Sequence, residues 1–217
     1  MNILELFCGT KSFSRVAEEL GFKTMTLDID KQFNPDVCMD IVLVDDLMLK
    51  MFKAYKPDIV WASPPCECFS IAAIGSNWDK YYTPKKTKTI KALKILDTTI
   101  YLIKQLKPKY FFIENPRGVM RILVKSIFRK YGLDHTRNTV TYCQYGDTRM
   151  KPTDIWTNCY DWIPRRMCKN GDSCHEKAPR GSKTGTQGLK NRTERSIVPK
   201  ELCLEILTII NYNKEIL

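Results

Sequence analysis

Asp58-Ile-Val-Trp-Ala-Ser-Pro-Pro-Cys-Glu-Cys-Phe-Ser70 is the stretch that most strongly indicates the fold of this 217-residue chain. Its apolar run, residues 59–62, is too short for a helix and is rich in β-branched and aromatic residues, which is typical of a buried strand. Two prolines then fix the chain direction and hold Cys66 where the strand ends. Because ligands of open α/β sheets bind at the carboxyl ends of strands, Cys66 is a candidate nucleophile. The alternative is a buried structural cysteine.

The beginning of the chain has the pattern of a βαβ unit. The expected elements are a strand over 2–7, a small-residue turn over 8–12, an amphipathic helix over 13–20 and a strand over 23–27. Asp28 follows the second strand. In such a unit the backbone N–H groups of the turn face one end of a nucleoside, and the acid accepts from the ribose hydroxyls. The turn has a single glycine, so the dinucleotide fingerprint is absent.

Two further strands are expected to end in polar residues. Tyr110-Phe-Phe-Ile-Glu-Asn-Pro-Arg-Gly118 runs from apolar residues into a carboxylate and a proline. A strand that begins at Thr139 leads into a loop that carries Arg149 and Lys151. Apolar periodicity predicts helices over 88–106, 120–131 and 199–210.

These segments together resemble the cytosine-C5 methyltransferase family. The similar motifs, in the family's order, are Leu4-Glu-Leu-Phe-Cys-Gly9 with Phe13-Ser14, Pro64-Pro65-Cys66 with Phe69-Ser70, Glu114-Asn115, the region from Gln144 to Lys151, and Ser196-Ile197-Val198-Pro199. Order and approximate spacing agree over 1–158 and 191–217. The resemblance implies an α/β, Rossmann-like AdoMet-dependent methyltransferase fold. Its sheet would be mostly parallel with one antiparallel edge strand, with helices on both faces and a small loop-rich insert.

The resemblance implies roles for the residues at the strand ends. Cys66, on the turn with Pro65, is expected to be the nucleophile that adds to C6 of cytosine and makes C5 enamine-like. Glu114, followed by Asn115, is expected to be the carboxyl group that hydrogen-bonds N3 and the exocyclic amine.

The roles of Arg149 and Lys151 depend on how the basic loop is aligned with the family. Without a gap, Arg149 falls on the family's glutamine and Lys151 on its first arginine; a shift of two gives Arg149 the first-arginine role. We favour Arg149 for the base and Lys151 for the nucleic-acid backbone. The alternative is a solvated basic loop.

S-Adenosyl-L-methionine is the cofactor that the resemblance implies. Phe7, Cys8 and Gly9 are expected at its methionine end, Asp28 on the ribose and Ile29 against the adenine. The remaining residues expected around it are Thr10, Ser12, Asp40, Ile41, Pro64, Ser196 and Ile197, with Asp40 on the adenine amino group. Thr10, Lys11 and Ser12 stand where the family usually has two further glycines.

The charge of the chain predicts a polyanionic partner, because the formal net charge is +11 and the sequence pI is near 9.2. With the resemblance, that partner is duplex DNA, from which the target cytosine would be flipped into the pocket. Basic side chains concentrate over 85–94 and 165–195. The first segment is either a solvated face or a mobile catalytic loop, and the second is suited to phosphate and base-edge contacts.

A possible zinc site lies in the second basic segment. Cys159, Cys168, Cys174 and His175 are close in sequence, and Zn²⁺ takes four such ligands tetrahedrally. A short loop-rich segment without a core would need such a metal. The alternative is free thiols in a small loop domain.

The expected organisation has three parts. Residues 1–158 form the catalytic AdoMet-binding core, 159–190 a small target-recognition insert, and 191–217 a C-terminal helix that packs back on the core. We expect no membrane span, because no apolar stretch approaches ~18–20 residues, and no signal peptide. Nine cysteines favour a reducing compartment. A cytoplasmic monomer without a membrane partner is therefore expected, encoded by a bacterial or archaeal host or by a phage or other virus.

Three alternative functions remain open at this stage. Relatives that methylate cytosine in tRNA also use a Pro-Pro-Cys turn and a Glu-Asn pair. The altered AdoMet turn and Pro116 would fit a catalytically silent DNA-binding protein with the same fold. Lys11 could pair with an added carboxylate if the enzyme transferred a larger group from a modified AdoMet.

Overall fold

A computed structural model describes residues 1–169, 171–177 and 191–216. Its strands are β1 (Asn2–Leu6), β2 (Lys23–Asp28), β3 (Val37–Cys38), β4 (Ile59–Ala62), β5 (Tyr110–Pro116), β6 (Thr136–Thr141) and β7 (Pro152–Thr157). Its α-helices are α1 (Ser12–Glu19), α2 (Asp46–Tyr55), α3 (Ile74–Asn77), α4 (Thr87–Leu106), α5 (Met120–Tyr131), α6 (Arg192–Ser196) and α7 (Lys200–Ile216). The predicted strand β4 and helix α5 have the bounds that the sequence indicated.

The strands of the described residues form one sheet in the order β3-β2-β1-β4-β5-β7-β6. The pairs from β3 to β5 are parallel, whereas β7 runs antiparallel to both of its neighbours. The mostly parallel α/β sheet is thus confirmed, but the expected position of the reversed strand was wrong: β7 lies inside the sheet and β6 forms the edge. Only residues 142–151 join β6 to β7. This connection is too short for a parallel crossover, so β7 folds back between β6 and β5.

Helices cover both faces of the sheet, as predicted. Successive side chains of a strand point to opposite faces, and in β4 Val60 belongs to one buried cluster and Trp61 to the other. The first cluster contains buried side chains of α2, α4 and α5, and the second contains those of α1 and α7. Helix α7 therefore packs against the core beside α1.

The chain after β7 is irregular in its described part, with neither a helix nor a strand over 158–169 and 171–177. Trp162 anchors this part, because its ring is buried and meets the edge of Phe112 with the ring centroids 6.2 Å apart. Among the described residues, no helix combines the length and the apolar character that crossing a membrane requires.

Candidate active site

The candidate nucleophile Cys66 lies on the turn that follows β4, at the carboxyl edge of the parallel strands. Pro64 is buried, Pro65 is exposed and Cys66 is partly exposed. The side-chain amide of Asn115, at the end of β5, donates a hydrogen bond to the carbonyl oxygen of Pro64 at 2.8 Å. This bond fastens the Cys66 turn to the strand that carries Glu114. The carbonyl oxygen of the Asn115 side chain is buried without a hydrogen-bond partner.

Glu114 is the buried carboxylate of this site and is only 5% exposed. The phenol of Tyr142 donates to its Oε1 at 2.8 Å, and the Lys151 ammonium lies 4.0 Å from the same oxygen. Burial and the nearby Glu114 charge raise the pKa of Tyr142 well above its ordinary value, so Tyr142 remains a hydrogen-bond donor. Lys151 is also stacked over the Tyr142 ring, 4.5 Å from its centroid. A carboxylate held in this way is oriented before a substrate binds.

The Cys66 thiol titrates above its ordinary range. Burial is the main cause of its raised pKa, the negative charge of Glu114 raises it further, and the positive charge of Lys151 opposes both. The charge of Glu114 thus opposes formation of the Cys66 thiolate. Cys68, the second cysteine of the loop, is buried and its sulfur faces the carbonyl oxygen of Lys88, which agrees with a structural role.

The loop after Cys66 is locked onto the chain that follows β5. The N–H of Val119 donates to the carbonyl oxygen of Phe69 at 2.9 Å, and Ser70 forms an isolated bridge with Gly118. A Cβ atom on Gly118 would overlap the Phe69 carbonyl oxygen. Only glycine therefore permits this close approach of the two backbones.

The structure gives Arg149 and Lys151 surroundings that differ from the roles expected for them. Arg149 is 3% exposed, forms an ion pair with Asp147 and donates to the carbonyl oxygens of residues 194, 195 and 197. It thus fastens the returning chain and is not free for a base. Lys151, also bonded to the Arg195 carbonyl at 3.1 Å, is the residue that faces Glu114. This arrangement fits the ungapped alignment, with Arg149 at the glutamine position.

Sequence reasoning missed Tyr142, although its contact with Glu114 is among the shortest at the site. A tyrosine at the end of a predicted strand resembles an ordinary core residue. Two signals could have found it: its place three residues after Thr139, at the end of the strand, and its closeness to the basic loop. Neither indicates Glu114 as its partner.

The turn after β1 has the shape expected of a nucleoside-binding loop. Phe7, Gly9 and Lys11 all have positive φ angles. The N–H of Gly9 donates to Asp28 Oδ2 at 2.9 Å and the N–H of Asp30 to Oδ1 at 2.9 Å, so the acid at the end of β2 is fixed to the turn. Each of these oxygens keeps a lone pair for a further donor. The Lys11 ammonium points outward, to the Asn34 carbonyl oxygen.

Helix α1 begins beside this turn without a side-chain cap of its own. The buried Glu5 carboxylate replaces that cap by accepting from the N–H groups of Phe13 and Ser14. Burial raises the pKa of Glu5 to about 7. Burial also raises the pKa of the neighbouring Cys8 thiol to about 12, which leaves it protonated at neutral pH.

The remaining residues of the expected cofactor site surround this turn. Ile29 is 62% exposed directly after Asp28, a large apolar surface left open at the sheet edge. Asp40 accepts from the N–H of Val42 and forms an ion pair with Lys91 at 2.8 Å, while Ile41 is buried. Burial alone would raise the pKa of Asp40, but the bond to Lys91 and the Val42 N–H lower it below its ordinary value.

The C-terminal motif meets the same turn. Ser12 accepts from the N–H of Val198 at 3.2 Å and pairs with the Thr10 hydroxyl at 2.9 Å. The Ser196 hydroxyl donates to the Thr193 carbonyl oxygen, and Ile197 is 40% exposed. An open cleft of about 670 Å³ lies here, lined among others by Gly9, Thr10, Ser12, Ile197 and Val198.

A cluster of sulfur and imidazole ligands lies next to the Tyr142 turn. Cys143, Cys168, Cys174 and His175 hold one ligand atom each within 4.8 Å of all the others. The expected ligand set is corrected at one position: Cys159 packs in the buried cluster with α1 and α7, and Cys143 stands in its place. The sequence could not indicate Cys143, because a separation of 31 residues from Cys174 matches no ligand spacing.

Each basic segment contains a charge that is already paired. In the first, Lys91 pairs with Asp40 at 2.8 Å, while Lys86 and Lys88 are exposed near the start of α4. In the second, Arg165 pairs with Glu201 at 2.6 Å and Glu205 at 2.9 Å. The basic loop predicted over 179–188 lies outside the described residues.

Comparison with known proteins gives a consistent result. Residues 1–131 match the family described as C-5 cytosine-specific DNA methylase. The matched part contains Cys66 and Glu114 but ends before Lys151. A protein of Frog virus 3 (isolate Goorha), named a probable DNA (cytosine-5)-methyltransferase, is 31% identical over 228 residues, an alignment that covers 96% of this chain and 100% of that protein.

Three solved structures share the fold. An E. coli prophage-encoded protein titled a DNA modification methyltransferase has a TM-score of 0.54 at 19% identity over 72% of this chain and 46% of that one. The Entamoeba histolytica methyltransferase EhMeth has a TM-score of 0.53 at 16% identity, over 77% of this chain and 56% of that one. The S. pombe Dnmt2 methyltransferase has a TM-score of 0.50 at 14% identity, over 77% of this chain and 52% of that one. This chain spans about half the length of each, and at these identities the likeness concerns the fold alone.

Proposed function

The chain belongs to the C-5 cytosine-specific DNA methylase family and is a methyltransferase, and from this premise we propose that it methylates C5 of cytosine in duplex DNA through a covalent bond between Cys66 and C6 of a flipped-out base. The observation that carries the proposal is the arrangement at the ends of β4 and β5. There a partly exposed thiol stands beside a buried carboxylate that Tyr142 and Lys151 orient.

The first step is addition of Cys66 to the ring. The thiol loses its proton to solvent, its sulfur bonds to C6, and the C5–C6 π electrons move towards C5 and N3. Lys151 supports this step, because its charge favours the thiolate against burial and against Glu114. After C5 has been alkylated, a base such as a water molecule takes the C5 proton, which restores the C5–C6 double bond and expels the sulfur with the electrons of the C6–S bond.

Glu114 has the task of holding the ring while its charge changes. With one proton held between its carboxyl group and N3, and with the exocyclic amine donating to the same group, Glu114 stabilises the electron density that thiol addition sends to N3. Tyr142 and Lys151 engage one oxygen, Oε1, which leaves Oε2 to face N3. Asn115 keeps the Cys66 turn next to this carboxylate through its bond to Pro64.

The residues of the β1 turn fit S-adenosyl-L-methionine. Asp28 has an oxygen lone pair available for a ribose hydroxyl, Ile29 offers an open apolar surface for the adenine, and a Cβ on Gly9 would meet nothing within 4 Å. The bound cofactor would supply the methyl group that C5 accepts. Lys11 points to Asn34, which keeps its charge turned away from a cationic sulfonium.

DNA is the substrate that the family and the charge of +11 favour. A base inside a duplex cannot reach a thiol at the end of a strand, so the cytosine would have to be extruded at a cost of a few kcal/mol. Lys86 and Lys88 are exposed and available for phosphates. The chain would then have three parts: a catalytic core over 1–158, an insert over 159–190 and a returning helix over 191–217. The insert would supply the contacts to the flanking bases.

We also propose that the protein is a virus-encoded monomer that acts in the reducing cytoplasm of its host. The Frog virus 3 relative and the nine unpaired cysteines support this assignment. Light scattering of the purified chain tests the oligomeric state.

Bisulfite sequencing of DNA from cells that express the chain tests the proposed reaction. Cytosines resistant to conversion should be present with the parent and with Cys68→Ala, which removes the other thiol of the loop, and should be absent with Cys66→Ser. Converted DNA throughout, at equal protein levels, would contradict the proposal. Resistant cytosines in tRNA of the same cells, with none in DNA, would instead favour RNA as the substrate.

A further inference from the structure

Four side chains beside the candidate active site converge on one point that the proposed reaction does not use. The Cys174 sulfur lies 3.6 Å from the Cys143 sulfur and 3.3 Å from that of Cys168. The His175 Nδ1 atom lies 3.3 Å from the Cys168 sulfur and 3.9 Å from the Cys174 sulfur. Every pair of the four ligand atoms is within 4.8 Å.

These distances match the edges of a metal tetrahedron. Two sulfurs bound to zinc at ~2.3 Å in a tetrahedron are separated by about 3.7 Å, and a sulfur and an imidazole nitrogen by slightly less. Three thiols and one imidazole are also the ligand types of structural zinc, and soft sulfur ligands disfavour magnesium or calcium. Ordinary packing gives no reason for three sulfurs and a ring nitrogen to point at one another.

The surroundings of the cluster resemble those of an oriented metal site. The Gln144 side-chain amide donates to the Cys174 sulfur at 3.1 Å, and the Cys168 N–H donates to the Thr141 hydroxyl at 2.8 Å. Such outer bonds fix ligating groups in direction. The N–H of Glu176 donates to the Thr148 carbonyl oxygen, which joins the same segment to the basic loop.

The chain around these ligands is held by side-chain contacts, such as those of Trp162 and Arg165, and not by regular secondary structure in its described part. The described residues from 158 to 177 contain neither a helix nor a strand, so few backbone hydrogen bonds stabilise them. Small segments of this kind commonly obtain their folding free energy from a metal.

We propose that Cys143, Cys168, Cys174 and His175 bind one structural Zn²⁺. On binding, the three thiols release their protons to solvent and each sulfur donates an electron pair to the metal, together with neutral His175. Four protein ligands leave no open position, so the ion takes no part in the chemistry. It fastens the segment 158–177 to the turn Tyr142–Tyr145, whose first residue bonds Glu114.

The position of Cys143 means that the metal would link the catalytic core to the irregular segment. Cys143 directly follows Tyr142 and belongs to the catalytic core, whereas the other three ligands belong to the irregular segment. The metal would therefore set the distance between the proposed recognition segment and the oriented carboxylate. This consequence depends on the proposed function, but metal binding itself does not.

Metal analysis of the full chain, purified without chelators under reducing conditions, is the direct test. We expect about one zinc per chain in the parent and in Cys159→Ser, and less than roughly a tenth of that in Cys143→Ser. Cys159 is the matched control, because it is a buried cysteine near the same segment but outside the cluster. Cys143 is buried, so its replacement could unfold the chain; circular dichroism of each variant identifies that case.

X-ray absorption of the zinc-loaded parent provides a readout that needs no variant. Three sulfurs at ~2.3 Å and one nitrogen at ~2.0–2.1 Å would support the proposal. Replacement by Co²⁺ should likewise give the absorption of a tetrahedral thiolate site. A folded parent without zinc that fails to bind added Zn²⁺, a zinc shell without three sulfurs, or zinc lost from Cys159→Ser but kept by Cys143→Ser would overturn it. A Cys168–Cys174 disulfide in the reduced preparation, found by mass spectrometry, would do the same.

Discussion

Glu114 is held in place by neighbouring side chains before any substrate arrives. Tyr142 donates to its Oε1 and Lys151 supplies a charge at 4.0 Å, while the carboxylate is buried against solvent. In a site of low dielectric such contacts are stronger than in water and need no rearrangement during the reaction. The geometry thus explains how a glutamate near a strand end is positioned for the role proposed for it.

Loss of the Tyr142 hydroxyl should slow the chemical step. A hydrogen bond to a charged group contributes about 1.5–3 kcal/mol, so Tyr142→Phe should lower the single-turnover methylation rate by roughly tenfold to a hundredfold. Tyr145→Phe is the matched control, because its hydroxyl bonds Glu205 and the Arg165 N–H, away from Glu114. Equal rates for the two variants would refute the role of Tyr142.

The charges around Cys66 should shift its titration in opposite directions. Burial raises the pKa of this thiol, Glu114 raises it further and Lys151 lowers it. Since only the thiolate reacts, alkylation of Cys66 by iodoacetamide should speed up as the pH rises. The midpoint should move to lower pH in Glu114→Gln and to higher pH in Lys151→Gln. Peptide mapping restricts the measurement to Cys66; shifts of the same sign would contradict the arrangement.

The residues at strand ends illustrate what could be predicted from the chain alone. Cys66 and Glu114 were predicted as site residues because each comes at the end of an apolar run in a short motif. The different contacts of Arg149 and Lys151 could not be predicted. The sequence does not tell which of two neighbouring cations turns towards Asp147 and which towards Glu114. Pairings across distant parts of the chain appear only after folding.

At the scale of elements, the loop after Cys66 depends on its close approach to the chain after β5. Gly118→Ala should force the Phe69 carbonyl oxygen away and cost about 1–3 kcal/mol of unfolding free energy. The same displacement should reduce Cys66 alkylation in a folded sample. Gly75→Ala, where a Cβ would meet nothing within 4 Å, should stay within about 0.5 kcal/mol of the parent. Urea unfolding that leaves both variants equal to the parent would show that the contact is not needed.

Elements were predicted best where both pattern and boundaries were strong. Strand β4 lies between Asp58 and two prolines, and α5 ends at a glycine in the left-handed region, so their bounds were confirmed. Helix α2 was missed although Asp45 caps it, because its apolar residues pack only partly. The expected position of the reversed strand was wrong. The sequence does not tell which strand of the β6–β7 pair lies next to β5.

At the scale of the whole molecule, the parallel strands bring separate motifs to one edge of the sheet. The β1 turn follows β1, the Cys66 turn follows β4, and Glu114 lies in the last part of β5. These three strands are neighbours in space. The returning chain before α7 completes this edge through Arg149, Lys151 and Ser12. The predicted α/β fold is thereby confirmed, and its order of strands explains why motifs far apart in sequence can serve one site.

DNA binding should depend steeply on salt. Each neutralised phosphate contributes about −0.9 to the slope of log K against log salt concentration. If Lys86 contacts a phosphate, Lys86→Ala should make this slope less negative by about one. Lys107→Ala is the control, because this lysine lies before β5 at the opposite edge of the sheet. Fluorescence anisotropy of labelled DNA, at salt concentrations from about 50 to 200 mM, measures the slope for both variants. Equal slopes in the two variants would argue against a DNA face near the start of α4.

A covalent trap tests the central claim most directly. In DNA that contains 5-fluorocytosine the C5 position holds fluorine in place of the proton that must leave, so the enzyme should remain bonded to the ring after addition and methylation. With S-adenosyl-L-methionine present, the parent should give a denaturant-stable complex whose DNA-bearing peptide contains Cys66, and Cys66→Ser should give none. A folded parent that forms no such complex, or one attached through Cys68 or another residue, would contradict the account.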